Sequence, residues 1–97
     1  MGLAGQRVRI VNTKGLHARA AAAFSRMASQ FDSRITVNHE ATSADARSIM
    51  DLLLLVGAKD CEIEIMAEGP DAQEAVTALA SLVADGFGER DPSPPET

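Results

Sequence analysis

Asn12-Thr13-Lys14-Gly15-Leu16-His17-Ala18-Arg19-Ala20-Ala21-Ala22-Ala23-Phe24 carries the chain out of one kind of backbone and into another. Just before it, Arg7, Val8, Arg9 and Ile10 alternate in polarity, the period of a half-buried strand, which predicts a strand over Gln6 to Val11. Gly15 provides the hinge. From His17 the spacing becomes helical: Ala20, Phe24, Met27, Ala28 and Phe31 fall on one stripe, so a helix is predicted from 17 to about 30, with that stripe in the core and Asp32-Ser33 as its end. A helix that starts at His17 leaves several backbone N–H groups without intrahelical partners. It also carries the positive end of the helix dipole there, and the two together bind anions. Arg19 adds a planar fork of charged donors that matches phosphate oxygens. Two readings fit these residues. His17 can cap a helix beside a solvated arginine, or it can be an imidazole nucleophile next to a phosphate cradle, since a neutral ring nitrogen can attack phosphorus.

Working outward, Ile35, Val37 and His39 share one face of a second strand. His39 lies at its end beside a turn at Glu40-Ala41 and reads as structural or solvated rather than catalytic. Thr42 to Ala46 is predicted to pair back as a hairpin. Ser48 to Val56 is a short helix with Ser48 as N-cap and Asp51 three residues later, the pattern of a capping box. Ile49, Met50, Leu52, Leu53, Leu54, Leu55 and Val56 leave it almost no polar face. One side must enter the core, and the other is either covered by a loop or left as a docking patch. The run is far too short to cross a bilayer.

Cys61, Ile63, Ile65 and Ala67 alternate with Glu62, Glu64, Met66 and Glu68, which gives a strand whose glutamates line its solvent face. Gly69-Pro70-Asp71 turns the chain, Asp71 is expected to cap the last helix, and Ala72, Ala75, Val76, Leu79, Ala80 and Val83 are its buried stripe. Gly86 suits the position just past that helix. Residues 1–88 form one domain in this reading, and 89–97, with Pro92, Pro94 and Pro95, a disordered tail. The order strand, helix, strand, strand, helix, strand, helix suits an α+β fold, an antiparallel sheet with helices on one face.

Composition narrows the function classes. A chain of 97 residues has room for one modest core, and with no Trp or Tyr that core rests on Leu, Ile, Val, Met, Ala and three Phe. The formal net charge of -5 and the absence of a basic, aromatic-interleaved stripe argue against nucleic acid as a partner. Cys61 is the only cysteine, so neither an intrachain disulfide nor a cysteine metal site is expected, and it reads as a buried apolar residue of a reducing compartment. His17 and His39 lie on separate elements with no carboxylate at ligand spacing, so no metal site is expected. The N-terminus carries no signal-peptide pattern.

Gly15-Leu16-His17-Ala18-Arg19 resembles the active-site motif of the HPr family, the histidine-containing phosphocarriers of the bacterial phosphoenolpyruvate-dependent phosphotransferase system. A second motif is in register with it. Arg47-Ser48-Ile49-Met50, an apolar run and Gly57-Ala58-Lys59 resemble that family's regulatory-serine segment, and the similarity runs from about Val8 to about Phe87. One position departs: the family usually has proline directly after the arginine, and here Ala20 stands there.

The resemblance implies a two-layer open-faced sandwich, βαββαβα, with four antiparallel strands in the order 1-4-2-3 and three helices on one face. It implies phosphoryl transfer onto His17 from Enzyme I and onward to enzyme IIA proteins or domains, for sugar uptake or in a nitrogen-related branch, with Arg19 stabilising the moving charge. It implies regulation at Ser48, in some hosts by HPr kinase/phosphorylase, and docking of partners on Leu16, Ala18, Ile49, Met50 and Leu53. Such a protein is a cytoplasmic monomer without cofactor or membrane insertion, a substrate of both reactions rather than a stand-alone enzyme. An interaction module that keeps the fold and the Ser48 patch without carrying phosphate is the alternative from another class.

Overall fold

The computed structural model describes residues 2–12, 14–55 and 60–88. The order of elements is β1 (Gly2–Arg9), α1 (Ala18–Ala28), β2 (Arg34–His39), β3 (Thr42–Asp45), α2 (Ile49–Leu54), β4 (Glu62–Gly69) and α3 (Ala72–Ala84), closed by a 3-10 turn at Gly86–Gly88. The strands form one antiparallel sheet in the order β1-β4-β2-β3. This is the expected α+β arrangement, strand order included. The expected tail, 89–97, and the segment Val56-Gly57-Ala58-Lys59 lie outside the described residues.

Alternation decides which face of the sheet is wet. Ile35 and Val37 of β2 and Ile63, Ile65 and Ala67 of β4 are buried, while their neighbours point away from the core. Over that inner face α3 packs against β1 and β4, α2 packs against β3, and α1 packs against both other helices. From α1, Ala20, Ala21, Phe24 and Ala28 enter the core. From α3 come Ala72, Ala75, Val76, Leu79, Ala80 and Val83. Burying a side chain such as Phe24 contributes about 1.5–3 kcal/mol. Met27 and Phe31 sit at the edge of the core, half-buried.

On the outer face the register sets Arg7 opposite Glu64, Arg9 opposite Glu62, and Arg34 opposite Glu68. The β4 glutamates thus face water and cross-strand arginines. Such exposed pairs contribute little individually.

Several boundaries differ from the sequence reading. β1 begins at Gly2 and ends at Arg9, because it pairs along the full length of β4 as far as Gly69, and backbone pairing needs no alternation. Cys61 is half-buried rather than buried. Asp71 occupies the N-cap position of α3, but its side chain makes no cap hydrogen bond. Instead Oδ1 accepts from the Ser33 N–H at 2.9 Å and the Ser33 hydroxyl at 2.5 Å, and Oδ2 accepts from the Asp32 N–H at 2.9 Å. The carboxylate ties the α1–β2 connection to the β4–α3 turn. Those bonds, the Ser33 hydroxyl first, hold the Asp71 carboxyl below its ordinary pKa. Gly69 makes the approach possible: a Cβ there would stand 2.6 Å from Ser33 Oγ. Past α3, Gly86 adopts positive φ as expected.

Candidate functional site

The segment from Asn12 to α1 is shaped by short-range bonds. Gly15 has φ of +64°, a region that L side chains rarely adopt. Its N–H donates to the Asn12 carbonyl at 3.1 Å, and its own carbonyl accepts from the His17 N–H at 3.0 Å and from Asn12 Nδ2 at 2.8 Å. Leu16, between the hinge and the histidine, turns inward and is only 5% exposed. Leu16, expected on a docking surface, has its side chain in the core, where it anchors the loop.

His17 is the N-cap of α1, not its first helical residue. Its backbone is extended, and its carbonyl accepts the first helical bond, from the Ala21 N–H at 2.8 Å. The ring turns back over the helix start, so that Nδ1 accepts from the Arg19 N–H at 3.3 Å. An Nδ1 that accepts carries the lone pair, so in the neutral ring the proton is on Nε2. The ring nitrogen that carries the electron pair therefore faces the backbone amides of the helix start. Arg19 is exposed in the first turn of α1, where no acidic residue stands, and no carboxylate among the described residues pairs with it. A cation at that end of a helix is unfavourable by itself, so the site concentrates positive field where an anion would sit.

Ser48 is the N-cap of α2, as read from the sequence. Its Oγ accepts from the Asp51 N–H at 3.2 Å. Only that arm of the capping box forms, because the Ser48 N–H donates to the Asp45 carbonyl at 3.0 Å instead. Arg47 holds this corner in place, a role the sequence reading missed. Its guanidinium donates to the carbonyls of Phe31 and Ser33, its N–H to Asp45 Oδ1 at 2.9 Å, and its carbonyl accepts from Ser25 Oγ at 2.9 Å. No local pattern around Arg47 marks bonds to residues 14 to 22 positions away.

Of the other predicted docking residues, Ala18 and Ile49 are exposed and Met50 is 68% exposed, whereas Leu53 is half-buried against the core. Leu54, not singled out from the sequence, is 67% exposed. Helical period does not separate the wet side from the dry side of a turn and a half that is apolar all round. His39 stands apart, with Nδ1 2.9 Å from the Leu55 carbonyl, which fits the structural reading. Among the described residues no group of three or more His, Cys, Asp or Glu is placed to hold a metal ion. None of the described helices is long and apolar enough to cross a membrane.

The chain has counterparts among known proteins. A family model described as "PTS HPr component phosphorylation site" matches residues 4–85. The chain is 42% identical over 84 residues to the phosphocarrier protein HPr of Neisseria meningitidis, covering 87% of this chain and 94% of that one. It is 40% identical over 85 residues to the phosphocarrier protein NPr of Escherichia coli, with the same coverage. Among solved structures, an HPr from Thermoanaerobacter tengcongensis superposes with a TM-score of 0.85 at 38% identity, covering 90% of this chain and 98% of that one.

Proposed function

Because the chain belongs to the phosphotransferase-system HPr family, we propose that it is a phosphocarrier that takes a phosphoryl group onto Nδ1 of His17 from the phosphohistidine of Enzyme I and hands it to an enzyme IIA protein or domain. The observation that carries this reading is the orientation of His17, with a lone-pair Nδ1 turned toward the start of α1. A phosphoryl group on that nitrogen places its oxygens among backbone N–H donors and the dipole's positive end. In transfer, the Nδ1 lone pair forms the new N–P bond as the N–P bond to the donor histidine breaks, and the leaving imidazole keeps that electron pair. Arg19 supplies positive charge where negative charge spreads over the moving group. No proton has to leave Nε2, so the ring can pass the group on by the reverse of the same step.

In this reading Ala18, Ile49, Met50 and Leu54 form the surface that partners cover, and Leu53 supports it from beneath. Ser48 is the regulatory position, a substrate for a kinase of the HPr kinase/phosphorylase type. The protein acts as a cytoplasmic monomer. The 40% identity to NPr favours a second reading in the same chemistry, in which the acceptor is a regulatory IIA of the nitrogen-related branch. Mixing the chain with phosphoenolpyruvate and Enzyme I and measuring its intact mass tests the proposal. One acid-labile phosphate per chain supports a carrier, and an unchanged mass supports a pure interaction module. Offering the charged chain to sugar-type and nitrogen-type IIA proteins separates the branches.

A further inference from the structure

We infer that Asn12 is a positioning residue for phosphoryl transfer, acting on His17 through the Gly15 carbonyl; the transfer itself rests on the reading above. Asn12 follows β1 and is 2% exposed, at a place where an apolar side chain would satisfy the core. A buried amide is costly unless it is bonded, so an amide kept here points to a task. Its Nδ2 donates to Gly15 O at 2.8 Å, and that same oxygen accepts the His17 N–H at 3.0 Å. One carbonyl is thus held from two sides, by the buried amide and by the residue that carries the ring.

Orientation passes along three hydrogen bonds. Asn12 fixes the Gly15 carbonyl, that carbonyl fixes the His17 N–H, and the extended His17 backbone sets Nδ1 against the Arg19 N–H. The Asn12 end of this chain is backed by the far end of the sequence. A Cβ on Gly86 would lie 3.5 Å from Asn12 Cβ, so the turn after α3 stands against it, and the next residue, Phe87, is buried. The amide therefore belongs to the rigid core, while the ring it aims is half-buried at the surface.

Nitrogen NMR of the two histidines tests this directly, because their partners call for opposite tautomers in the neutral rings. His17 accepts at Nδ1, and His39 faces the Leu55 carbonyl with its Nδ1. In Asn12→Ala and Asn12→Asp, both of which remove the amide donor, the His17 ring nitrogens should move toward the averaged values of a free imidazole while those of His39 stay. With the chain as the varied substrate of phosphoenolpyruvate-charged Enzyme I, kcat should fall about 10- to 100-fold, the cost of small misplacements of a reacting group, with KM unchanged. Unmoved His17 nitrogens and an unchanged kcat in a folded variant overturn the assignment, as does a loss confined to KM. Should both variants fail to fold, the wild type still decides. The Asn12 side-chain amide protons should exchange more slowly than those of Asn38, whose bond to Glu64 is 3.4 Å long, and equal exchange refutes the clasp. A wild-type chain that accepts no phosphate sinks the carrier reading and leaves the nitrogen spectra to judge Asn12.

Discussion

The starts of α1 and α2 solve the same problem in opposite ways. Both are capped by a side-chain acceptor of similar reach, His17 Nδ1 to the Arg19 N–H at 3.3 Å and Ser48 Oγ to the Asp51 N–H at 3.2 Å. At α2 the cap is a favoured residue type and an acid stands in the first turn, so the helix's own residues supply both a cap bond and a compensating charge. At α1 the cap is an imidazole, the first turn has no acid, and the charge nearby is Arg19. A helix start of that kind forgoes stability, and in the phosphocarrier reading proposed above an anion from outside completes it. In that reading the difference separates an end built to hold a helix from an end built to hold a ligand.

Replacing the α1 cap should break the comparison most sharply. His17→Asp gives α1 a preferred cap and a carboxylate at the dipole's positive end, which together should raise stability by about 0.5–1 kcal/mol. Phosphoryl acceptance should nevertheless vanish. A thermal melt beside an intact-mass assay reads both effects; a carboxylate can itself take a phosphoryl group as an acyl phosphate, so only a phosphate mapped to a residue other than 17 would move the acceptor away from His17. His39→Ala should keep acceptance, because its ring is committed to the Leu55 carbonyl.

Arg19→Ala comes next. It removes charge where charge develops, and the transfer rate should fall by the equivalent of about 2–3 kcal/mol, as for one preorganised donor. Stability should hold or rise slightly, since a cation leaves the wrong end of a helix. Stopped-flow transfer from charged Enzyme I measures the first, and an unaltered rate makes Arg19 a bystander.

How much of this was readable from the chain depends on the range of the interactions. Alternation in β2 and β4 and the stripes of α1 and α3 are local periods, and they placed the strands and the helices, while Ser48 was legible as a cap from its own neighbours. The Gly15–Arg19 stretch could be read as an anion site because helix starts are local features too. What escaped is bonded across distance. Asp71 looks like a cap from its neighbours, yet its carboxylate serves Asp32 and Ser33, 39 and 38 residues away. Leu16 looks like a loop residue free for a partner, and tertiary packing takes it inside. Arg47 and Asn12 carry no pattern that announces their backbone partners. β1 starts at Gly2 because β4 lies beside it, and Gly2-Leu3-Ala4-Gly5 shows no strand period.

Ser48→Asp probes the self-sufficient start. Aspartate caps as well as serine, so the fold should be unharmed, whereas Ser48→Ala should cost about 1 kcal/mol. A charge at Ser48 also stands at the start of the helix that exposes Ile49, Met50 and Leu54, and covering that charge with a partner is unfavourable. Binding of Enzyme I should therefore weaken while His17 keeps its chemistry. Titration calorimetry with both forms decides the matter: equal affinities leave Ser48 a cap and nothing more.

The start of α3 extends the comparison through pH. The Asp71 carboxyl titrates below its ordinary value of 3.8 because the folded chain bonds its ionised form. A depressed folded pKa contributes stability that is fully present above the unfolded value and disappears as pH falls through the folded one. Denaturation midpoints should hold from neutral pH to about pH 4 as far as this group is concerned, and drop below it. Asp71→Asn should be less stable at pH 7 and show a shallower acid drop. Equal slopes for the two proteins would mean that the staple does not contribute to acid stability.

The smallest effect is expected at Ala20, where the family's usual proline is missing. With His17 as N-cap, Ala18, Arg19 and Ala20 are the first three helical residues, and Ala21 is the first whose N–H reaches back to the His17 carbonyl. Ala20 therefore lies in the turn whose amides have no intrahelical partner, and a proline there forfeits no helical hydrogen bond. Its ring also presets the helical φ. Against this, Ala20 is fully buried, and extra ring carbons in a close-packed site cost about 1–3 kcal/mol if the neighbours do not adjust. The lost amide has one further consequence, because the start of α1 would offer an anion one N–H fewer. Ala20→Pro should fold, shift the midpoint only modestly in either direction, and accept phosphate at close to the wild-type rate. If the transfer rate falls by an order of magnitude while the melt stays put, the Ala20 amide is one of the groups that hold the phosphoryl oxygens, and this chain uses a donor that a proline-bearing relative does without.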